Sequence, residues 1–151
     1  MLAKEQSLME LMTTFTRVSR SYKSLCDRLA AKYGLTQAIA WPVLAISRKG
    51  DGVRPSVVAE EVGLEPSSVV RLIDSLVASG YVERRDDSTD RRAKLLFLTE
   101  RGRQIVPPLE AELARLRNTL LKDMTEEQFA ICSEVFQILN HSIREYKDAE
   151  V

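Results

Sequence analysis

The sequence predicts a mainly α-helical protein that contains one small β-hairpin. Three observations predict this class. Apolar residues recur every three or four positions near both termini, two short helical segments in the middle open with proline, and two strand-like runs flank a charged turn. The chain has 151 residues, of which 44% are hydrophobic and 29% charged, a balance typical of one folded globular domain.

The first segment has the pattern of a helix that packs against another helix. Its apolar residues are spaced alternately by three and four positions, which gives a period of about 3.5. They are Leu8, Leu11, Phe15, Val18, Tyr22, Leu25 and Leu29. Gly34 follows them and is expected to end the helix.

A second helix is expected to begin after Thr36, which has the side chain of an N-terminal cap. Pro42 falls within it, so we expect either a later start or a bend. Two short helices follow at residues 55–62 and 66–79, each opening with proline and separated by a tight turn at Gly63.

A β-hairpin follows these helices. Residues 81–84 and 93–98 read as antiparallel strands, and residues 84–92 form a charged turn with four arginines and three aspartates. Helix, strand, charged turn and strand is the order of a winged helix-turn-helix module, in which one helix enters the DNA major groove and an arginine-tipped wing reaches the minor groove. DNA binding is therefore the leading hypothesis.

Two further helices are predicted at the C-terminal end. Thr99 is placed to cap the first, in which Pro107 and Pro108 predict a kink or a delayed start. Thr125 and Gln128 form a capping box that opens the second.

The terminal apolar stripes are longer than a central module of this size can cover, which predicts a two-fold homodimer. A monomeric helical bundle with a satellite domain is the alternative. The expected division is an N-terminal dimerisation helix at 1–34, a winged helix-turn-helix at 35–102 and C-terminal dimerisation helices at 103–151, intertwined as one domain.

The helix at 66–79 has one apolar face and one face of small polar side chains with a single long donor, Arg71. Arg71 has the geometry to pair with guanine, and Ser67 and Ser68 are placed to hold a phosphate at the start of the helix. The predicted DNA contacts are Ser67, Ser68, Arg71, Ser75, Arg84, Arg91, Arg92 and Lys94, with Asp90 bracing a wing arginine. The alternatives are an ordinary solvated helix face and a solvated charged hairpin.

The net charge of zero means that DNA affinity must depend on where the charges lie. Residues 1–33 carry six Lys/Arg against three Asp/Glu, residues 53–103 carry nine of each, and residues 104–151 carry five against nine. An acidic C-terminal end would keep DNA away from that end.

Other function classes receive little support. The single His141 has no partner constellation for catalysis, and no phosphate-binding glycine loop is present. Cys26 and Cys132 lack metal-ligand spacing and are expected to be buried reduced thiols. With no apolar span and no secretory signal, we expect a cytoplasmic, non-enzymatic protein without a metal or cofactor.

The run at 90–102 resembles the wing signature of MarR-family transcriptional regulators, with matches at Asp90, Arg92, Leu96, Leu98, Thr99 and Gly102. Residues 69–76 and 80–84 are similar to the recognition helix and first wing strand of that family. Within it, Leu35, Thr36 and Gln37 near Trp41, together with residues 90–94, look most like the SlyA branch.

The resemblance implies a winged-helix homodimer that binds a pseudo-palindromic operator near a promoter, as a repressor. It implies that Arg71 reads a base and that Arg91 or Arg92 enters the minor groove. It also implies that a small anionic or phenolic compound binds between the dimerisation helices and the DNA-reading module and weakens DNA binding. Arg54 departs from the family pattern, which has Ser or Thr there as a helix cap.

Three aromatic residues, Phe15, Tyr22 and Trp41, are expected to line such a pocket, with Arg17 or Arg20 holding a carboxylate. The alternative is that the aromatics fill the dimer core. Two other functions stay open. One is a thiol sensor that uses Cys26. The other is a winged helix for protein contact, supported by Leu95 and Phe97, which replace the basic residues common in the SlyA branch.

Overall fold

The structure is a computed structural model, and it describes residues 2–65, 68–90 and 93–149. Its elements are α1 (Leu2–Ala31), α2 (Gln37–Lys49), α3 (Pro55–Glu61), α4 (Val69–Ala78), β1 (Val82–Asp86), β2 (Lys94–Leu98), α5 (Glu100–Leu120) and α6 (Glu126–Ala149). The chain divides into two compact units, Met1–Ala114 and Arg115–Val151. The mainly α-helical class with one two-stranded antiparallel sheet is confirmed.

In the first unit, α1 runs through the whole predicted seam and ends before Gly34. Gly34 has φ of +69°, a left-handed backbone conformation that favours glycine. Only the C-terminal end of α1 is packed, with Cys26 and Ala30 fully buried against the following helices. The earlier part of the seam, including Leu8 and Val18, is exposed in the single chain.

The second helix begins directly after Thr36, so the expectation of a late start at Pro42 is wrong. Thr36 occupies the cap position, although its side chain makes no capping hydrogen bond. The missing N–H of Pro42 costs the helix one bond, but Val43, Leu44 and Ile46 are buried around it. Their burial offsets the lost hydrogen bond.

Helices α3 and α4 form the helix-turn-helix and pack against each other and against α2. The turn passes through Gly63, at φ of +71°. Helix α4 is described from Val69, and the expected start at Pro66 lies outside the described residues. Just before α4, the N–H of Ser68 bonds to the carbonyl of Glu65 at 2.9 Å. Leu72, Ile73 and Leu76 form the buried face of α4.

The hairpin is confirmed, and β1 extends two residues further toward the turn than expected. Its register pairs Val82 with Leu98, Arg84 with Leu96 and Asp86 with Lys94. Arg84 and Arg85 therefore belong to strand β1 rather than to the turn. An isolated antiparallel bridge between Val53 and Leu96 also joins the segment before α3 to β2.

Helix α5 starts at Glu100, so the delayed start predicted from Pro107 and Pro108 is wrong. Thr99 caps it as expected, because its Oγ1 accepts the N–H of Gly102 at 3.1 Å. Both prolines lie inside the helix, and Leu109 in the next turn is fully buried. That burial helps the helix to continue past two missing N–H donors.

In the second unit, the predicted capping box opens α6. The N–H of Gln128 bonds to Thr125 Oγ1 at 3.2 Å, and the N–H of Thr125 bonds to Gln128 Oε1 at 3.0 Å. None of the described residues of α6 is buried, although its stripe includes Phe129, Phe136 and Ile143. Cys132 is exposed, so the expectation that both thiols are buried is wrong for this one.

The described helices include none that is long and apolar enough to cross a membrane.

Candidate nucleic-acid interface

The outward face of α4 carries the predicted reading residues. Arg71, Asp74 and Ser75 are exposed on it, and Ser68 is half-buried at its start. Ser67 lies outside the described residues. With the apolar face of α4 packed on α2 and α3, this polar face is the part of the helix that can enter a groove.

The two strands of the wing hold their cations in ion pairs. Lys94 pairs with Asp86 across the hairpin, and Arg85 pairs with Glu83 along β1. Arg84 Nη1 lies 3.9 Å from Asp74 Oδ1 on α4, so this pair joins the wing to the reading helix. Exposed pairs of this kind stabilise a protein little.

Arg71 is different from the other cations of the module. Residues 53–103 contain nine Lys/Arg, of which the structure describes seven. Six of these seven contact an acidic or aromatic side chain within the chain: Arg54, Arg84, Arg85, Lys94, Arg101 and Arg103. Arg71 makes no such contact with any described residue. Among the described cations of residues 53–103, Arg71 is therefore the one for which no described acidic or aromatic side chain is a partner, and a guanidinium offers five N–H donors to an external partner.

The turn of the wing is organised by Asp87, which sequence reasoning missed. Asp87 Oδ1 accepts the N–H of Thr89 at 2.8 Å and its hydroxyl at 2.7 Å. The bond from the Thr89 hydroxyl contributes most and the bond from its N–H next, and together they hold the pKa of Asp87 below its ordinary value. The carboxylate is therefore ionised at neutral pH, and these bonds weaken only as pH falls through its folded-state pKa.

The predicted wing-tip arginines, Arg91 and Arg92, lie outside the described residues. The backbone carbonyl of Asp90 accepts the N–H of Ala93 at 2.8 Å. The bracing role of the Asp90 side chain stays a prediction.

The base of the wing is tied to α5 by residues far apart in sequence. Asp51 Oδ1 accepts the N–H of Leu98 at 3.0 Å, and Asp51 Oδ2 pairs with Arg103 at 3.0 Å. Arg101 stacks on the ring of Tyr81 and donates to its hydroxyl. No local pattern in the sequence indicates these contacts, since they join residues 20 to 52 positions apart.

Leu95 and Phe97 do not form the open apolar patch that a protein-contact function requires. Both are half-buried. The ring of Phe97 packs beside Gly52, where an added Cβ would lie 3.4 Å from it, and the guanidinium of Arg85 lies over the ring at 4.4 Å. The chain covers part of both residues itself, which reduces the support for the protein-contact alternative.

A cavity of about 390 Å³ lies where α1, α2 and the turn before α4 meet. Two of the predicted ligand residues, Tyr22 and Trp41, line it together with Leu64 and Leu72. The cation in its wall is Lys23, which the sequence did not single out. Phe15 does not line this cavity, and Arg17 and Arg20 line a separate groove along α1.

Cys26 is fully buried, with no exposed surface in the chain. Oxidation of a thiol requires access, so the structure argues against the sensor that would use Cys26. The described residues contain no group of three or more His, Cys, Asp or Glu that could hold a metal ion.

A helix-turn-helix with a free arginine on its outer face, followed by a charged two-stranded wing, defines the class of winged-helix transcription regulators. Residues 33–93 match the family model described as MarR family. A solved relative that is 31% identical, transcriptional regulator PA3341, superposes with a TM-score of 0.78 over 89% of this chain and 98% of that one. The chain belongs to the MarR family.

Two other solved structures show the same fold at lower identity. The transcriptional regulator SlyA is 17% identical, with a TM-score of 0.77 over 89% of this chain and 94% of that one. The transcription regulator MarR from Oenococcus oeni PSU-1 is also 17% identical, with a TM-score of 0.76 over 87% of this chain and 98% of that one. At these identities the likeness concerns the fold and does not assign this chain to a branch.

Proposed function

We propose that the protein is a cytoplasmic, non-enzymatic repressor that binds a pseudo-palindromic operator as a homodimer. The observation that carries the proposal is the free guanidinium of Arg71 on the exposed face of α4. We propose Ser68 and Ser75 on α4, Arg84 and Lys94 on the wing, and Ser67, Arg91 and Arg92 as further contacts. The SlyA-like branch is proposed from residues 35–37, Trp41 and residues 90–94.

The exposed apolar faces support the homodimer. Large apolar side chains such as Leu11 on α1 and Ile138 on α6 are more than half exposed in the single chain, at 54% and 58%. Large apolar side chains exposed repeatedly along a helix indicate a protein interface. A second copy presents the same faces, so a two-fold dimer covers them. We propose residues 1–34 and 103–151 as the dimerisation segments and residues 35–102 as the DNA-binding module.

Selection of duplexes from a random library by the purified protein tests this function. A two-fold dimer is expected to select an inverted repeat whose half-site centres lie about 10 base pairs, or a multiple of that, apart. Selection of a single unrepeated site would contradict the dimeric arrangement. Failure to enrich any duplex would contradict DNA binding itself.

We also propose that the cavity between α1 and α2 binds a small aromatic acid that releases the DNA. Tyr22 and Trp41 provide aromatic walls and Lys23 a cation, which together suit a ring that carries a carboxylate. The cavity adjoins Leu72 on the buried side of α4. A ligand there touches the reading helix directly, so binding can shift that helix.

Lys23→Ala is expected to weaken salicylate binding by about 1 kcal/mol, roughly fivefold, because it removes a charged partner of the carboxylate. Trp41 is the only tryptophan of the chain, so quenching of its fluorescence reports occupancy. Arg17→Ala, which removes a cation from the other groove, is the matched control and is expected to leave salicylate affinity unchanged. A larger loss for Arg17→Ala than for Lys23→Ala would place the ligand elsewhere.

A further inference from the structure

The outward face of α4 carries an acid beside the arginine proposed to read a base. Asp74 lies three residues after Arg71, and its side chain is 66% exposed. An unpaired carboxylate on a surface that meets DNA phosphates repels them. Asp74 therefore either lowers DNA affinity or has a compensating role.

The structure supplies a partner for this carboxylate. Arg84 lies in the middle of β1, opposite the fully buried Leu96, and its Nη1 is 3.9 Å from Asp74 Oδ1. Leu96 is buried on β2 and pairs with Arg84 in the ladder, and β1 packs against α4, so the backbone of Arg84 is held beside α4. Only the orientation of its long side chain remains to be set.

The guanidinium of Arg84 keeps donors for a second acceptor. Its side chain is 47% exposed, and a guanidinium has five N–H donors in a planar fork. One edge can bond to the carboxylate of Asp74 while another bonds to a phosphate oxygen. A cation held in this way loses less side-chain entropy when it meets the DNA.

We infer that Asp74 is a positioning residue whose carboxylate holds Arg84 at the edge of the reading face, where Arg84 binds a backbone phosphate next to the bases read by Arg71. The inference rests on the proposed function, because it assigns a role within the same DNA interface. It differs from two other roles for Asp74: a direct acceptor for a base amino group, and a solvated charge that only repels DNA.

Whether Asp74→Ala raises or lowers the DNA affinity separates these roles. Asp74→Ala removes a negative charge from the interface, which by electrostatics alone raises the affinity for every duplex. The positioning role predicts the opposite. Affinity falls about fivefold, equally for all base variants of the site, because the phosphate is held less tightly whatever the sequence. Asp74→Glu keeps the carboxylate and is expected to recover part of the affinity.

The test is fluorescence anisotropy on the duplex that the wild-type protein selects from a random library, at several salt concentrations. Wild type, Asp74→Ala, Asp74→Glu, Arg84→Ala and the double variant Asp74→Ala/Arg84→Ala are compared. We expect the double variant to bind no more weakly than Arg84→Ala alone, since Asp74 acts through Arg84. We also expect both single alanine variants to lower the slope of log affinity on log salt, by up to about 0.9 for each phosphate that is no longer neutralised.

Asp27→Ala, which removes an exposed acid from α1, is the matched control and is expected to leave affinity and salt slope unchanged. Circular dichroism shows that each variant is folded, and Asp74→Asn replaces Asp74→Ala if the latter is not. Higher affinity of Asp74→Ala, or a loss confined to one base pair that persists without Arg84, overturns the positioning role alone. Failure of the wild type to select any duplex overturns the proposed function, and the inference with it.

Discussion

Gly102→Ala is expected to destabilise the protein by about 3 kcal/mol, although alanine stabilises most helical positions relative to glycine. Gly102 lies in the first turn of α5 and is buried against the chain just before β1. A Cβ at this position would lie 2.1 Å from the carbonyl oxygen of Tyr81 and 3.2 Å from its carbonyl carbon. No side-chain rotation relieves a contact with backbone atoms.

The same carbonyl accepts the N–H of Thr99 at 3.1 Å, so the added carbon also disturbs the junction between the wing and α5. Urea unfolding of wild type and variant at one protein concentration measures the difference, since the stability of a dimer depends on concentration. Gln104→Ala, at an exposed position one residue beyond Arg103, is the control and is expected to change stability by less than about 0.5 kcal/mol. A Gly102→Ala variant as stable as wild type would contradict the close approach of α5 to Tyr81.

Arg71→Ala is expected to weaken binding to the selected operator by about 1–3 kcal/mol and to relax the preference at one base pair in each half-site. The reason is that the variant cannot form the bidentate arginine–guanine pair while its fold is unchanged, because Arg71 is exposed and contacts no described acid or ring. Anisotropy on the operator and on duplexes with single base changes measures both effects.

Two controls sharpen the result. Arg28→Ala removes an exposed arginine from the last turn of α1 and is expected to leave the base preference intact. Arg71→Lys keeps the charge but not the planar fork, so it is expected to recover affinity for nonspecific DNA without the base preference. An equal loss for Arg71→Ala on every sequence would make Arg71 a phosphate contact.

The elements that follow local rules are the ones that the sequence predicts well. The Thr125 capping box and the Thr99 cap depend on hydrogen bonds between residues three apart, which the sequence displays directly. The two apolar strand ends, Val82 and Leu98, pair as the hairpin pattern indicates. Such features need no knowledge of the rest of the chain.

The prolines are predicted less well, for a physical reason. Pro42, Pro107 and Pro108 each remove a helical N–H, and local rules therefore predict a later helix start or a bend, of which the later start is wrong. The helices continue because buried neighbours such as Ile46 and Leu109 pack against other elements. Tertiary burial of this kind is not visible in a local window of sequence.

The candidate site likewise has features that the sequence predicts and features that it does not. The exposure of Arg71 follows from helical periodicity, whereas the pairing of Arg84 with Asp74 and of Asp51 with Arg103 depends on how distant segments meet. The cavity shows both cases. The sequence predicts that Tyr22 and Trp41 lie together, but the cation beside them is Lys23 because helix α1 turns Arg17 toward a different groove.

The measurement that tests the central claim most directly is fluorescence anisotropy of the wild-type protein on the DNA upstream of its own gene, with a scrambled duplex of the same length and at two salt concentrations. DNA binding through cations on α4 and the wing predicts tighter binding to the upstream DNA than to the scrambled duplex, with both affinities falling steeply as salt rises. Binding to neither duplex, or an affinity indifferent to salt, would contradict an interface built from these cations.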